Sequence, residues 1–235
     1  MHAWALIKRS RRSGADNVRD LLTEGNLLPF YDRNLVTDLN GLDEIYCNVI
    51  VDSSSSAEPP SVKLPINKLR AAFVLKKEEI QKLKNFILGK SPSIGHLSSF
   101  TIICALVWVL LGKVSAPEGE DVADDEPEYF CFLADCRERL NPPVPAKYFG
   151  NCVSLVKAEL KHGEVKGDDG FVMAAKAIGD AVKETVYNEK EILHGAEKWP
   201  DEYEKLIGKR KIAVAGSPRF DFYGVDYGWE KPKKF

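Results

Sequence analysis

The chain has 235 residues, 44% of them hydrophobic, with 33 basic and 35 acidic side chains and a formal net charge of −2. That length and apolar content suit one large α/β domain or two small ones with a sizeable core. Near-balanced charge, with basic residues scattered rather than striped, excludes the electrostatic footprint of a nucleic-acid binder. The opening "MHAWALIKRSRRSG" is apolar first and basic second, the reverse of a secretory signal. It reads as the end of a helix with nothing before it to cap the start.

Residues 17–60 have poor periodicity, and "DSSSSAEPPS" at 52–61 has the composition of a linker. Order resumes with a predicted strand at 70–75 and a helix at 76–88, where Ile80, Leu83, Phe86 and Ile87 recur at helical spacing. Ser98 or Ser99 then supplies an N-cap for an apolar helix reaching about Lys113. Its core, "FTIICALVWVLL" at 100–111, is shorter than the roughly 20 residues a bilayer span needs, so a buried helix is expected and no membrane partner. Being apolar nearly all round, that helix should be sandwiched. The acidic stretch "SAPEGEDVADDEPE" at 115–128 reads as a solvated loop without the ligand spacing of a calcium site.

Strands at 129–135 and 152–160 flank a segment that Pro142, Pro143 and Pro145 keep non-helical. A helix follows at 168–188, with Phe171, Ala174, Ala175, Ile178, Ala181 and Val182 on one face, then a shorter helix near 189–198. Strands at 212–214 and 220–225 complete the pattern. Two strand pairs with three or four helices and long crossovers define an α/β or α+β layered fold.

Chemistry is harder to find. There is no G-x-S-x-G elbow, P-loop, G-x-G-x-x-G or H-E-x-x-H. The histidines are His2, His96, His162 and His194, each in a setting that reads as ordinary, the last two in polar, surface-like segments. Asp135 with Arg137 and Arg139 reads as a structural ion pair at a strand end, with part of a polar site as the alternative. Cys47, Cys104, Cys131, Cys136 and Cys152 are odd in number and form no Cys-x-x-Cys pair. They predict reduced core thiols, a cytoplasmic location and no metal centre.

Taken together, "HLSSFTIICALVW" (96–108), "ADCRERLNPPVPAKYFGNC" (134–152) and "SPRFDFYGVDYGWEKPKK" (217–234) resemble the plant BAHD acyltransferases. The likeness is strongest to the clade that malonylates anthocyanins, flavonoids and phenolic glucosides. "LPFYDRNLVTDLNGLDEIY" at 28–46 is similar to that clade's segment before the interdomain crossover. The resemblance implies a chloramphenicol-acetyltransferase-like α/β fold of two domains, with residues 1–62 ending the first domain and crossing over. Residues 63–235 would form most of the second, incomplete at its C-terminus.

The implied reaction is direct attack of an acceptor hydroxyl on an acyl-CoA thioester, the hydroxyl being deprotonated by the histidine of an H-x-x-x-D motif. The resemblance implies malonyl-CoA as co-substrate, no permanently bound cofactor, a phenolic or flavonoid glucoside as acceptor, and a monomer. It places Ser98 and Ser99 beside the pantetheine arm of CoA. Arg137, Asn151, Asp226, Gly228 and Trp229 fall on structural motif positions. Tyr227 replaces a Phe and Glu230 the last Gly of the D-F-G-W-G motif, and Ser217 stands where some relatives carry Trp. The four positions after each histidine hold Leu6, Phe100, Lys166 and Lys198 at the fourth, so no H-x-x-x-D is present and no catalytic residue is assigned. The start and the close of the sequence both resemble internal segments of the family. The chain alone is therefore expected to be inactive, and the alternative reading is a remnant or a CoA- or partner-binding module.

Overall fold

The computed structural model describes residues 2–14, 17–36, 38, 41–55, 73–94, 97–114, 122–187, 193, 195–215, 223–230 and 232, with the backbone alone for 50–55. The expected strand at 70–75, the linker and the strand at 220–225 therefore lie partly outside the described residues, as do Ser217, His96 and His194. Where described, residues 73–76 and 223–225 are not strand, and Phe73 and Val74 are almost fully exposed.

The N-terminal helix α1 spans His2–Arg12. The segment expected to be irregular holds two further helices, α2 (Val18–Glu24) and α3 (Leu42–Ser55). In α3 the Asp38 carboxylate accepts from the Leu42 amide at 2.6 Å, and Asp43 and Glu44 favour the first turn. Leu42, Ile45, Tyr46 and Val49 recur at helical spacing there, a signal that the poor periodicity of the surrounding residues and the serine-rich stretch after it obscured. Helix α4 (Lys77–Lys90) starts where Glu79 accepts from the Lys76 amide at 2.6 Å. Helix α5 (Ser99–Val114) is capped by Ser98, whose Oγ accepts from the Thr101 amide at 3.1 Å.

The described residues form a three-stranded sheet in the order β2-β1-β3. Strand β1 (Pro127–Asp135) pairs antiparallel with β2 (Val153–Lys161). Helices α6 (His162–Lys166), α7 (Gly170–Val186) and α8 (Trp199–Glu204) lead to β3 (Arg210–Val214), which lies parallel to β1. The shorter helix expected near 189–198 lies partly outside the described residues, and within its span Ala196–Lys198 form a 3₁₀ turn.

Along β1, Glu128, Phe130, Phe132 and Ala134 share one face by the two-residue period of a strand. The core sits there: Phe130 and Phe132 meet Trp108 and Phe100 of α5, at ring separations of 5.5 and 4.9 Å, with Val156, Ala158, Ala175 and Ile178 completing it. The small residues of α7 allow close approach: a Cβ on Gly170 would fall 2.2 Å from the Val165 carbonyl oxygen. Among the described residues helix α5 packs against α4, α6, α7 and β1. Trp108 and Ala105 are fully buried, but Leu110, Leu111 and Val114 are exposed, so its apolar surface is only partly covered among the described residues.

Candidate functional site

The most deeply buried polar group on β1 is Glu128, which the acid-rich sequence around it had suggested to be solvated. Its side chain is 6% exposed. Oε2 accepts from Trp108 Nε1 at 3.2 Å, and Oε1 accepts from Arg210 Nε at 3.2 Å. His162 Nδ1 lies 2.6 Å from the same Oε1 and donates to it when the carboxylate is ionised. His162, expected on the surface, is itself buried. Four elements, α5, β1, α6 and β3, are thereby tied at one carboxylate. Both carboxylate oxygens are engaged and His162 is buried, so this cluster ties elements of the fold together at a place almost closed to solvent.

A cavity of about 310 Å³ opens beside it, bordered by Gly112, Tyr129 and the run Lys209, Arg210, Lys211. Gly112 is required there, because a Cβ would meet Val165 Cγ1 at 2.5 Å. The sequence did carry a signal for Glu128, its place in the alternating face with Phe130 and Phe132, but the neighbouring acidic run obscured it.

The second polar cluster closes the loop between β1 and β2. Arg137 donates through Nη1 to Asp135 Oδ1 at 2.9 Å and through Nη2 to the carbonyls of Gly150 at 2.9 Å and Tyr148 at 3.4 Å. Arg139 Nη1 donates to the Asp135 carbonyl at 2.6 Å. Phe30 joins the loop by a bridge to Tyr148, its amide donating to Lys147 and its carbonyl accepting from Phe149. Arg33 stacks over the Tyr148 ring at 5.0 Å. Beneath lie Cys136, Val144, Tyr148 and Cys152, all buried. Asn151 is exposed in this loop. Burial pushes the Cys136 and Cys104 thiols up to about 12 and raises Cys131 and Cys152 as well, which keeps all four protonated, while Cys47 is exposed.

At the start of α5, the Ser98 and Thr101 hydroxyls are 2.9 Å apart, and Ser99 is exposed on the first turn. Ser98 thus serves as a cap. The exposed Ser99 hydroxyl and the positive end of a 16-residue helix face outward beside it. The remaining motif residues stand elsewhere: Asp226 Oδ1 accepts from the Gly228 amide at 2.7 Å, Gly228 has φ 84°, and Trp229 is exposed. The structure therefore does not gather the motif residues into one pocket. Among the described residues no group of three or more His, Cys, Asp or Glu side chains is placed to hold a metal ion. No helix among them is long and apolar enough to cross a membrane.

A mixed sheet whose central strand packs its apolar face against a capped apolar helix, α5, and against α7 forms an α/β layer. The Transferase family profile matches residues 6–235, and the chain belongs to this family, that of the BAHD acyltransferases. It is 36% identical over its whole length to phenolic glucoside malonyltransferase 1 of Nicotiana tabacum, covering 50% of that protein. It is 37% identical over 88% of its length to the malonyl-coenzyme:anthocyanin 5-O-glucoside-6'''-O-malonyltransferase of Salvia splendens, covering 42% of it. It is 38% identical over 75% of its length to the malonyl-coenzyme A:anthocyanin 3-O-glucoside-6''-O-malonyltransferase of Dahlia pinnata, covering 38% of it. The chain thus spans half or less of the length of these relatives. The crystal structure of vinorine synthase matches with a TM-score of 0.50 at 22% identity, over 74% of this chain and 40% of that one, which supports the expected fold class.

Proposed function

We propose that the chain supplies the CoA-side half of an acyl-CoA-dependent O-acyltransferase, passing a malonyl group from malonyl-CoA to a hydroxyl of a phenolic or flavonoid glucoside. The observation that carries this reading is the 36–38% identity to three malonyltransferases over 75–100% of the chain. In this reading residues 1–62 end a first domain and residues 63–235 belong to a second. The N-terminus of α5, with Ser98 and Ser99, lies along the pantetheine arm and orients the thioester by its free amides. Arg137 and Asn151 shape the loop after β1, while Asp226, Gly228 and Trp229 fix the chain far from the chemistry. The hydroxyl attacks the thioester carbonyl, its proton goes to a histidine, and CoA leaves as the thiol. No cofactor is held between turnovers. Reduced thiols suit a cytoplasmic monomer.

Within these 235 residues no histidine is placed for that proton transfer by the H-x-x-x-D pattern, and His162 is buried. The chain alone therefore binds malonyl-CoA without transferring it, which is also what a pure CoA-binding module would do. Joining the first half of the tobacco relative ahead of residue 1 separates the two readings. Malonylated glucoside, detected by mass spectrometry, is expected from the joined protein and not from the chain alone. A joined protein that folds and binds malonyl-CoA yet transfers nothing would leave only the binding module. Transfer by the chain alone that survives replacement of all four histidines would contradict the mechanism.

A further inference from the structure

Four observations join the Asp226–Trp229 turn to the basic end of α1, more than 210 residues earlier in the chain. Arg9 Nη1 donates to Asp226 Oδ2 at 3.4 Å, and Arg12 Nη1 donates to the Gly228 carbonyl at 2.9 Å. Lys8 Nζ sits 5.7 Å from the centroid of the Trp229 ring. A Cβ built on Gly228 would lie 3.1 Å from Arg9 Cγ, so the helix side chain passes directly over the bare glycine.

We infer that this turn is a docking clasp for α1, and that Lys8, Arg9 and Arg12 are the side chains it grips. Each part has its own chemistry. Asp226 uses one carboxylate oxygen to hold the turn, through the Gly228 amide at 2.7 Å, and the other to hold Arg9. Gly228 takes the left-handed φ of 84° that turns its carbonyl toward Arg12, and it leaves room for Arg9. Trp229 offers a ring face, backed by Tyr227 at 6.3 Å, to an ammonium group. Val225, just before the turn, is buried and roots it in the molecule.

Cations in the last turn of a helix also complement its dipole, and that alone would explain three arginines there. It would not explain why two of them converge on one turn from the other end of the chain. The Arg9–Asp226 pair is half-exposed and weak by itself, so the clasp depends on its members acting together. In this arrangement the turn fixes where α1 sits, and it binds no small molecule.

The test is hydrogen exchange with mass spectrometry on the whole 235-residue chain, comparing amides of α1 with those of β1 and β2. Arg12→Met, Asp226→Asn and Gly228→Ala should each speed exchange in α1 by about threefold or more, leave β1 and β2 unchanged, and combine to less than the product of the single effects. Lys77→Met, a control on α4, should leave α1 as it was. The exchanged pair Arg9→Asp with Asp226→Arg should recover more protection than either single change, though the Gly228 amide loses its acceptor. Unchanged α1 exchange in the three single variants would overturn the clasp, and so would loosening that reaches β1 and β2 equally.

Discussion

The chain holds two polar clusters that do similar mechanical work by opposite means. Around Glu128 one carboxylate ties four elements in a setting almost closed to water, whereas around Arg137 one guanidinium ties a loop together at the edge of solvent, its side chain 21% exposed. The first has little to replace its partners if one is lost, because a buried ion left unpaired must bear its full desolvation cost. The second gathers backbone carbonyls, which water can partly satisfy when the arginine is gone. The difference predicts that the Glu128 cluster matters more to stability than the Arg137 loop.

The largest expected effect follows from the buried member. Glu128→Ala strands Arg210 and Trp108 Nε1 and should lower stability by roughly 3–5 kcal/mol, read as a shift in the urea midpoint at unchanged slope. Glu128→Leu would sharpen the comparison: it refills the volume but strands the same partners, so it should recover little of the loss. Arg137→Met should cost less, about 1.5–3 kcal/mol, the range for hydrogen bonds to a charged group, with the change confined to amides near 148–152 in hydrogen exchange. A larger loss there than at Glu128 would invert the comparison.

Ser98→Ala should cost about 1 kcal/mol, the ordinary value of an N-cap, seen as faster exchange in the first turn of α5. At neutral pH the smallest effect belongs to the buried thiols. Cys104 and Cys136 are raised to about 12 by burial from an ordinary value of 9.0, so the folded chain holds protons that the unfolded chain releases. Their contribution is complete below pH 9 and declines as pH rises from about 9 toward 12. Urea midpoints measured at pH 8 and pH 10 should fall with pH, and less steeply in Cys104→Ala. In the native chain a disulfide reagent at pH 8 should find Cys47 fast and the other four slow.

The layered fold was legible because its signals are periodic and local: the alternation in 129–135 and 152–160, the small-residue face of α7 and the serine before α5. The seven-residue α2 was not, since its apolar set is too small to show a period. Helix α3 was obscured, although Leu42, Ile45, Tyr46 and Val49 recur at helical spacing, because it runs into a serine-rich stretch that has the composition of a linker. The Arg137 cluster could be anticipated because Asp135 lies two residues away in sequence. The Glu128 cluster could not, since Trp108, His162 and Arg210 come to it from 20, 34 and 82 residues away, and only the fold brings them together. Likewise the link between α1 and the Asp226 turn is a property of the packed chain alone.

The proposal that the chain forms the malonyl-CoA side of an acyltransferase is tested most directly by isothermal titration calorimetry. Malonyl-CoA would be titrated into the folded chain and into the Ser98→Ala, Ser99→Ala variant, with far-ultraviolet dichroism to show matched folding. Saturable one-to-one binding is expected for the natural chain, weakened roughly 5- to 150-fold in the variant if two hydrogen bonds are lost. No binding by the folded natural chain, or equal binding by both proteins, would contradict the account.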